Sequence, residues 1–141
     1  MPSRLIGLML IGRLVSASAV AAPCDTPRSI QFLHGAIHSE VRGGIARGEI
    51  SCLVFGARAG QRMLVSVSSI ETNVVLQIYR PGWRITKQAD EFSIFGTALR
   101  GASETNEASS WSGILPVTGT YLLILGTLRG GGGYQLEIEI E

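Results

Sequence analysis

The stretch that decides the fold is WSGILPVTGTYLLILGTLRGGGGYQLEIEI, Trp111 to Ile140. It opens with an apolar run, Trp111-Ser112-Gly113-Ile114-Leu115, and meets a tight turn at Pro116-Val117-Thr118-Gly119. A strand from Thr120 to Leu125 follows, then a hairpin loop at Gly130–Gly133 and a last strand of strict alternation. In that strand Tyr134, Leu136, Ile138 and Ile140 fall on one face, and Gln135, Glu137, Glu139 and Glu141 on the other. Successive Cβ atoms of a strand point to opposite faces of its sheet, so this period of two marks a half-buried strand. The end of the chain reads as a β-meander with one packed and one wet face.

Working back towards the N-terminus, the same signals recur. Short strands are predicted at Ser29–Phe32, Ile37–Gly43, Glu49–Ala57, Arg62–Ser68 and Val74–Tyr79, with turns at Arg47-Gly48, Arg58-Ala59-Gly60-Gln61 and Pro81-Gly82. Ile37, Ser39 and Val41 share a face, as do Met63, Val65 and Val67, and Val74, Leu76 and Ile78. Strands at this spacing, punctuated by Gly and Pro and lacking a sustained helical period, predict a single antiparallel β-sandwich of eight or nine strands. Its expected core is Leu53, Phe55, Val65, Val67, Leu76, Ile78, Leu115, Leu123, Leu136 and Ile138. Trp83 to Ser109 breaks the pattern: it carries the chain's single lysine, Lys87, and one apolar cluster, Phe92, Ile94 and Phe95. It reads as a long, polar, partly mobile excursion with one strand near Glu91–Phe95, and long loops in compact domains are often functional.

Residues 1–21 read as an export signal. Arg4 supplies the positive n-region, Leu5–Ile11 the apolar stretch and Ala19-Val20-Ala21 the small-x-small cleavage site. A start at Met9, with Arg13 as the charge, is the alternative. A membrane span is not expected, because the apolar run before Arg13 is far too short. The expected domain is then 22–141, a length suited to one core. Removing Arg4 and Arg13 from twelve basic residues leaves ten against eleven acidic ones, a net charge near −1. That balance offers no basic excess to draw nucleic acid.

Two cysteines, Cys24 and Cys52, remain. An even count in an exported protein suggests one disulfide, with two free thiols as the alternative. His34 and His38 lack the neighbouring ligands a metal site requires. Gly130–Gly133 is followed by neither Lys-Ser/Thr nor a helix, so it is no phosphate loop. No serine sits in a Gly-x-Ser-x-Gly setting. Neither an enzyme nor a cofactor is expected, and a monomer is.

An ordered set of positions resembles a known group: Leu53-x-Phe55-x-Ala57-x-x-Gly60-Gln61, Val65-x-Val67, Val74-x-Leu76-x-Ile78-Tyr79-x-Pro81-Gly82, Trp111-x-Gly113-x-Leu115-Pro116-x-x-Gly119-x-Tyr121 and Tyr134-x-Leu136. The set is similar to the bacterial pre-peptidase C-terminal domain, a secreted jelly-roll-like sandwich. Ile30-x-Phe32-x-x-Gly35 and Ser39-x-x-x-Gly43 also resemble the periplasmic inhibitors of goose-type lysozyme. The resemblance implies a periplasmic or secreted binding protein rather than an enzyme. In the inhibitors a Ser-Gly pair before an aromatic is implicated in blocking the lysozyme cleft, and the matching positions are Thr118, Gly119 and Tyr121. Thr118 departs from Ser but keeps a hydroxyl. The hairpin after it carries Arg129 and four glycines where the inhibitors tend to have a longer basic loop. Two partners are implied: a goose-type lysozyme met by Thr118, Gly119, Tyr121 and Arg129, or an envelope polysaccharide met by an exposed aromatic such as Trp83. Tyr121 also has a structural reading, as core with its hydroxyl tied to backbone.

Overall fold

The structure, a computed structural model, describes residues 23–141 apart from His34. The proposed export signal, 1–21, lies outside the described residues. The described residues form ten strands: β1 (Arg28–Ser29), β2 (His38–Ile45), β3 (Ile50–Ala57), β4 (Arg62–Ser69), β5 (Val74–Tyr79), β6 (Arg84–Gln88), β7 (Glu91–Phe95), β8 (Ser110–Ile114), β9 (Gly119–Thr127) and β10 (Gly132–Ile140). They form a sandwich of two four-stranded sheets, ordered β1-β3-β9-β5 and β2-β10-β4-β8, with β6 and β7 as a separate hairpin. All pairings are antiparallel except β1 with β3.

The alternating strands face inward as expected. In β10, Leu136 lies between Val41 and Val67, and Ile138 between Ser39 and Val65. Opposite them stand Leu53 and Phe55 of β3, Leu76 and Ile78 of β5, and Tyr121, Leu123 and Leu125 of β9. All ten residues expected in the core belong to this one buried cluster. Strand β2 starts one residue late, at His38, and Ile37 is exposed rather than inward. The first strand is shorter than expected, Arg28–Ser29, although the Ile30 N–H continues the ladder to the Val54 carbonyl at 2.9 Å.

Trp83 to Ser109 is more ordered than its composition suggests. It holds a hairpin, β6 and β7, and Arg84–Gln88 is the strand by which the count exceeds nine. The hairpin covers the outer face of β9: Ile85, Phe92 and Ile94 pack on a second cluster of Cys24, Cys52, Leu122 and Ile124. Residues 97–108 then run along β5 and satisfy its free edge. Leu76 N–H donates to Ala108 O at 2.7 Å, Ile78 N–H to Ala102 O at 3.0 Å and Arg80 N–H to Thr97 O at 2.9 Å. Covering an edge removes a template for unwanted pairing. Cys24 and Cys52 are joined as a disulfide, their Cα atoms 4.9 Å apart, which ties residues 23–27, the leader to β1, to β3.

Candidate functional site

Three turns meet at one end of the sandwich because β3 leaves, β9 enters and β5 exits there. The β3–β4 turn closes on itself, with the Arg58 N–H donating to Gln61 Oε1 at 2.7 Å. It is laced to the β8–β9 turn: Gly60 N–H donates to Leu115 O and Leu115 N–H to Gln61 O, both at 2.8 Å. Thr118 Oγ1 completes the join by accepting the Ala59 N–H at 2.9 Å. Thr118 itself is exposed, and its hydroxyl proton remains available to a partner.

Gly119 is needed where it stands. Its φ of +149° disfavours other residues, and a Cβ there would lie 2.8 Å from Pro81 Cβ. The β5 exit is thereby packed against the start of β9. Trp83 adds a third brace, its indole N–H donating to Thr120 O at 2.9 Å.

Tyr121 does not reach the surface. Its ring is fully buried and stacked on Phe55 at 5.2 Å between centroids. Its hydroxyl donates to Val117 O at 2.5 Å and accepts from Val117 N–H at 3.0 Å. This tie holds the β8–β9 turn in the manner of a tyrosine corner. Tyr121 therefore positions Thr118 and offers no side-chain surface to a partner. Trp83 is half-buried against the disulfide cluster with its N–H already used, so it is not the exposed indole that the polysaccharide reading expected.

Arg129 is at the wrong end. It follows β9, and the eight steps from Gly119 to Thr127 span about 26 Å at strand rise. It cannot act beside Thr118. The charges that do accompany the Thr118 turn are Arg58, adjacent to Ala59, and Arg80, adjacent to Pro81, with Arg62 at the start of β4. The acid nearest them in the ladder is Glu141, whose backbone pairs with that of Arg62. Among the described residues none of these three arginines is in an ion pair. Sequence reasoning missed Arg58 and Arg80 as site residues, although Arg58 opens one turn it identified and Arg80 directly precedes another. A cleft of about 360 Å³, lined by Phe32, Ala57, Arg58, Gln61 and Ile140 among others, adjoins the same turns.

Among the described residues no cluster of three or more His, Cys, Asp or Glu side chains could hold a metal ion. His38 instead faces Glu137 at 3.7 Å across the outer face of the β2-β10 pair.

No protein-family model matches the chain, and no curated protein sequence matches it either. Solved structures do. The periplasmic g-type lysozyme inhibitor PliG of Aeromonas hydrophila superposes with a TM-score of 0.61 at 22% identity, covering 82% of this chain and 96% of that one. PliG of Salmonella Typhimurium gives 0.55 at 21% identity, over 80% and 96% of the two chains. A mutant of the Escherichia coli PliG gives 0.57 at 18% identity, over 82% and 97%. At these identities the likeness is one of fold.

Proposed function

We propose that this chain is an exported, non-catalytic protein that binds a goose-type lysozyme in the periplasm and inhibits it through the Thr118 end of its sandwich. The observation that carries the reading is the braced turn itself. Thr118 is exposed on a turn fixed by Ala59, Pro81 and Tyr121, and Arg58 and Arg80, neither in an ion pair among the described residues, adjoin Ala59 and Pro81. A rigid protrusion loses little conformational entropy on insertion into a cleft. Flanking arginines suit an acidic catalytic cleft, where complementary charge speeds encounter and fixes register. Export through residues 1–21 accords with the Cys24–Cys52 disulfide, since such bonds persist in oxidising compartments. The fold shared with three periplasmic inhibitors of g-type lysozyme supports the same partner.

The test is a turbidity assay of cell-wall lysis by goose-type, chicken-type and invertebrate-type lysozymes with purified mature protein. Inhibition of the goose-type enzyme is expected, weakened by Thr118→Ala and, more strongly at low salt, by Arg58→Ala with Arg80→Ala. Full activity of all three enzymes at micromolar protein would sink the function. Inhibition that survives all three substitutions would sink the site. Gly119 is not a useful probe, because its positive φ and Pro81 contact make any side chain there a perturbation of the turn.

A further inference from the structure

At the opposite end of the sandwich a cleft of about 520 Å³ opens over the outer face of the β3-β9-β5 sheet, within the range of small-ligand sites. Arg47 and Arg129 line it from the β2–β3 and β9–β10 turns, Glu104 and Glu107 from the segment before β8, and Gln77 from the sheet. Glu49 stands beside Arg47. These five charges share one cleft, yet none is in an ion pair; among the described residues the pairs formed are His38–Glu137, Arg42–Glu40 and Lys87–Asp25.

The lining segments are held in place. Asn73 clamps the glycine-rich β9–β10 turn: its Oδ1 accepts the Arg129 N–H at 2.9 Å, and its carbonyl accepts the Leu128 N–H at 2.9 Å. The acidic segment is a short 3₁₀ turn, Glu104–Asn106, closed by a reciprocal box. Asn106 Oδ1 accepts both the Ser103 N–H at 2.8 Å and the Ser103 hydroxyl at 2.7 Å. Glu107 then takes left-handed backbone angles, φ 47° and ψ 46°, a costly conformation for a residue with a Cβ. The Gln77 amide is oriented by the Tyr79 hydroxyl, which donates to its Oε1 at 2.8 Å and leaves the NH₂ group for another acceptor. Burial first, and then the Glu104 carboxylate, raises the Tyr79 phenol above its ordinary value.

We infer that this cleft binds a short zwitterionic peptide, its carboxylate taken by Arg47 and Arg129 and its ammonium by Glu104 and Glu107, with the Gln77 amide on a peptide carbonyl. Opposite charges gathered on one cleft without neutralising each other suit a ligand that carries both. A simple anion or cation would meet the repelling group as well as the attracting one. The site is separate from the Thr118 end and does not depend on the lysozyme reading.

Trialanine with free termini is the probe, titrated into the isotope-labelled mature protein and followed by amide-resolved NMR. Shifts are expected at Gly48–Ile50, Gln77, Glu104–Glu107 and Leu128–Gly130. N-acetylation or C-amidation of the peptide should each weaken binding about tenfold, the worth of a charge-assisted hydrogen bond. Arg47→Gln with Arg129→Gln should abolish the penalty of amidation alone, and Glu104→Gln with Glu107→Gln that of acetylation alone. An absence of shifts at millimolar peptide would overturn the inference, as would capped peptides that bind as well as the free one. Binding that needs only one terminus would overturn the zwitterionic assignment.

Discussion

Strand β9 has an apolar layer on each face, and the two layers are built by different rules. Towards the inside, Tyr121, Leu123 and Leu125 share one buried cluster with residues of five other strands, β2, β3, β4, β5 and β10, in period-two register. Towards the outside, Leu122 and Ile124 meet a disulfide and one hairpin: Cys24, Cys52, Ile85, Phe92 and Ile94. The inner layer is held by strand order and close packing of long-range partners. The outer layer is a small patch whose cover, the β6–β7 hairpin and the leader, would be marginal alone, since isolated hairpins are barely stable in water. A covalent tie is the usual remedy for a core too small to hold its parts. The difference accounts for the five consecutive buried residues Tyr121–Leu125, which a one-sided sheet would not need.

The comparison breaks most visibly in the inner layer. Leu123→Ala is expected to cost about 4–5 kcal/mol, the upper part of the range for such truncations, because Leu123 is fully buried between β3 and β5 and its neighbours cannot collapse. Denaturant unfolding measures it; a loss under about 2 kcal/mol would mean that the inner layer is loosely packed. Next comes the tie in the outer layer. Replacing Cys24 and Cys52 by Ser opens a loop of sequence separation 28, and the chain-entropy model sets the loss at roughly 3–4 kcal/mol. Hydrogen exchange should then rise first at Ile85, Phe92 and Ile94, with β10 still protected. Uniform deprotection would show instead that the two layers unfold as one unit.

The two layers also differ in how far they could be read from sequence. The inner one was legible because Leu136, Val65 and Leu76 each sit in a period-two pattern bounded by Gly or Pro. The outer one was legible only in part: the Cys24–Cys52 disulfide and the strand at Glu91–Phe95 were readable, and the partner strand β6 was not. Strand β6 carries two inward residues at most, and its turn at Ala89-Asp90 lacks the Asn-Gly or Asp-Gly signal of a hairpin; Ala89 takes the positive φ of 56° that glycine would normally supply. At the site, the hydroxyl of Thr118 and the glycine requirement at Gly119 were readable. The pairing of Arg129 with Thr118 was a misreading of distance, because two residues close in sequence are far apart when a nine-residue strand separates them. Arg58 is distant in sequence and near in space, which only the register of β3 with β9 discloses.

Two buried tyrosines close the inner layer at its two ends and provide the finest comparison. Tyr121 has both roles of its hydroxyl filled by Val117, so Tyr121→Phe strands a backbone N–H and C=O and should cost about 1–2 kcal/mol. Tyr134 lies across from Gly43, whose missing side chain makes room for the ring: a Cβ there would be 2.5 Å from the phenol oxygen. Among the described residues that oxygen is buried without a hydrogen-bond partner. In the unfolded chain it is hydrated, so folding strips its water and returns nothing. Tyr134→Phe keeps the ring and removes the orphaned group. It should therefore leave stability unchanged or raise it by up to about 1 kcal/mol, the reverse of the Tyr121 substitution. Thermal and denaturant unfolding of the two variants side by side decide it: a Tyr134→Phe loss as large as that of Tyr121→Phe would mean that the hydroxyl is satisfied after all.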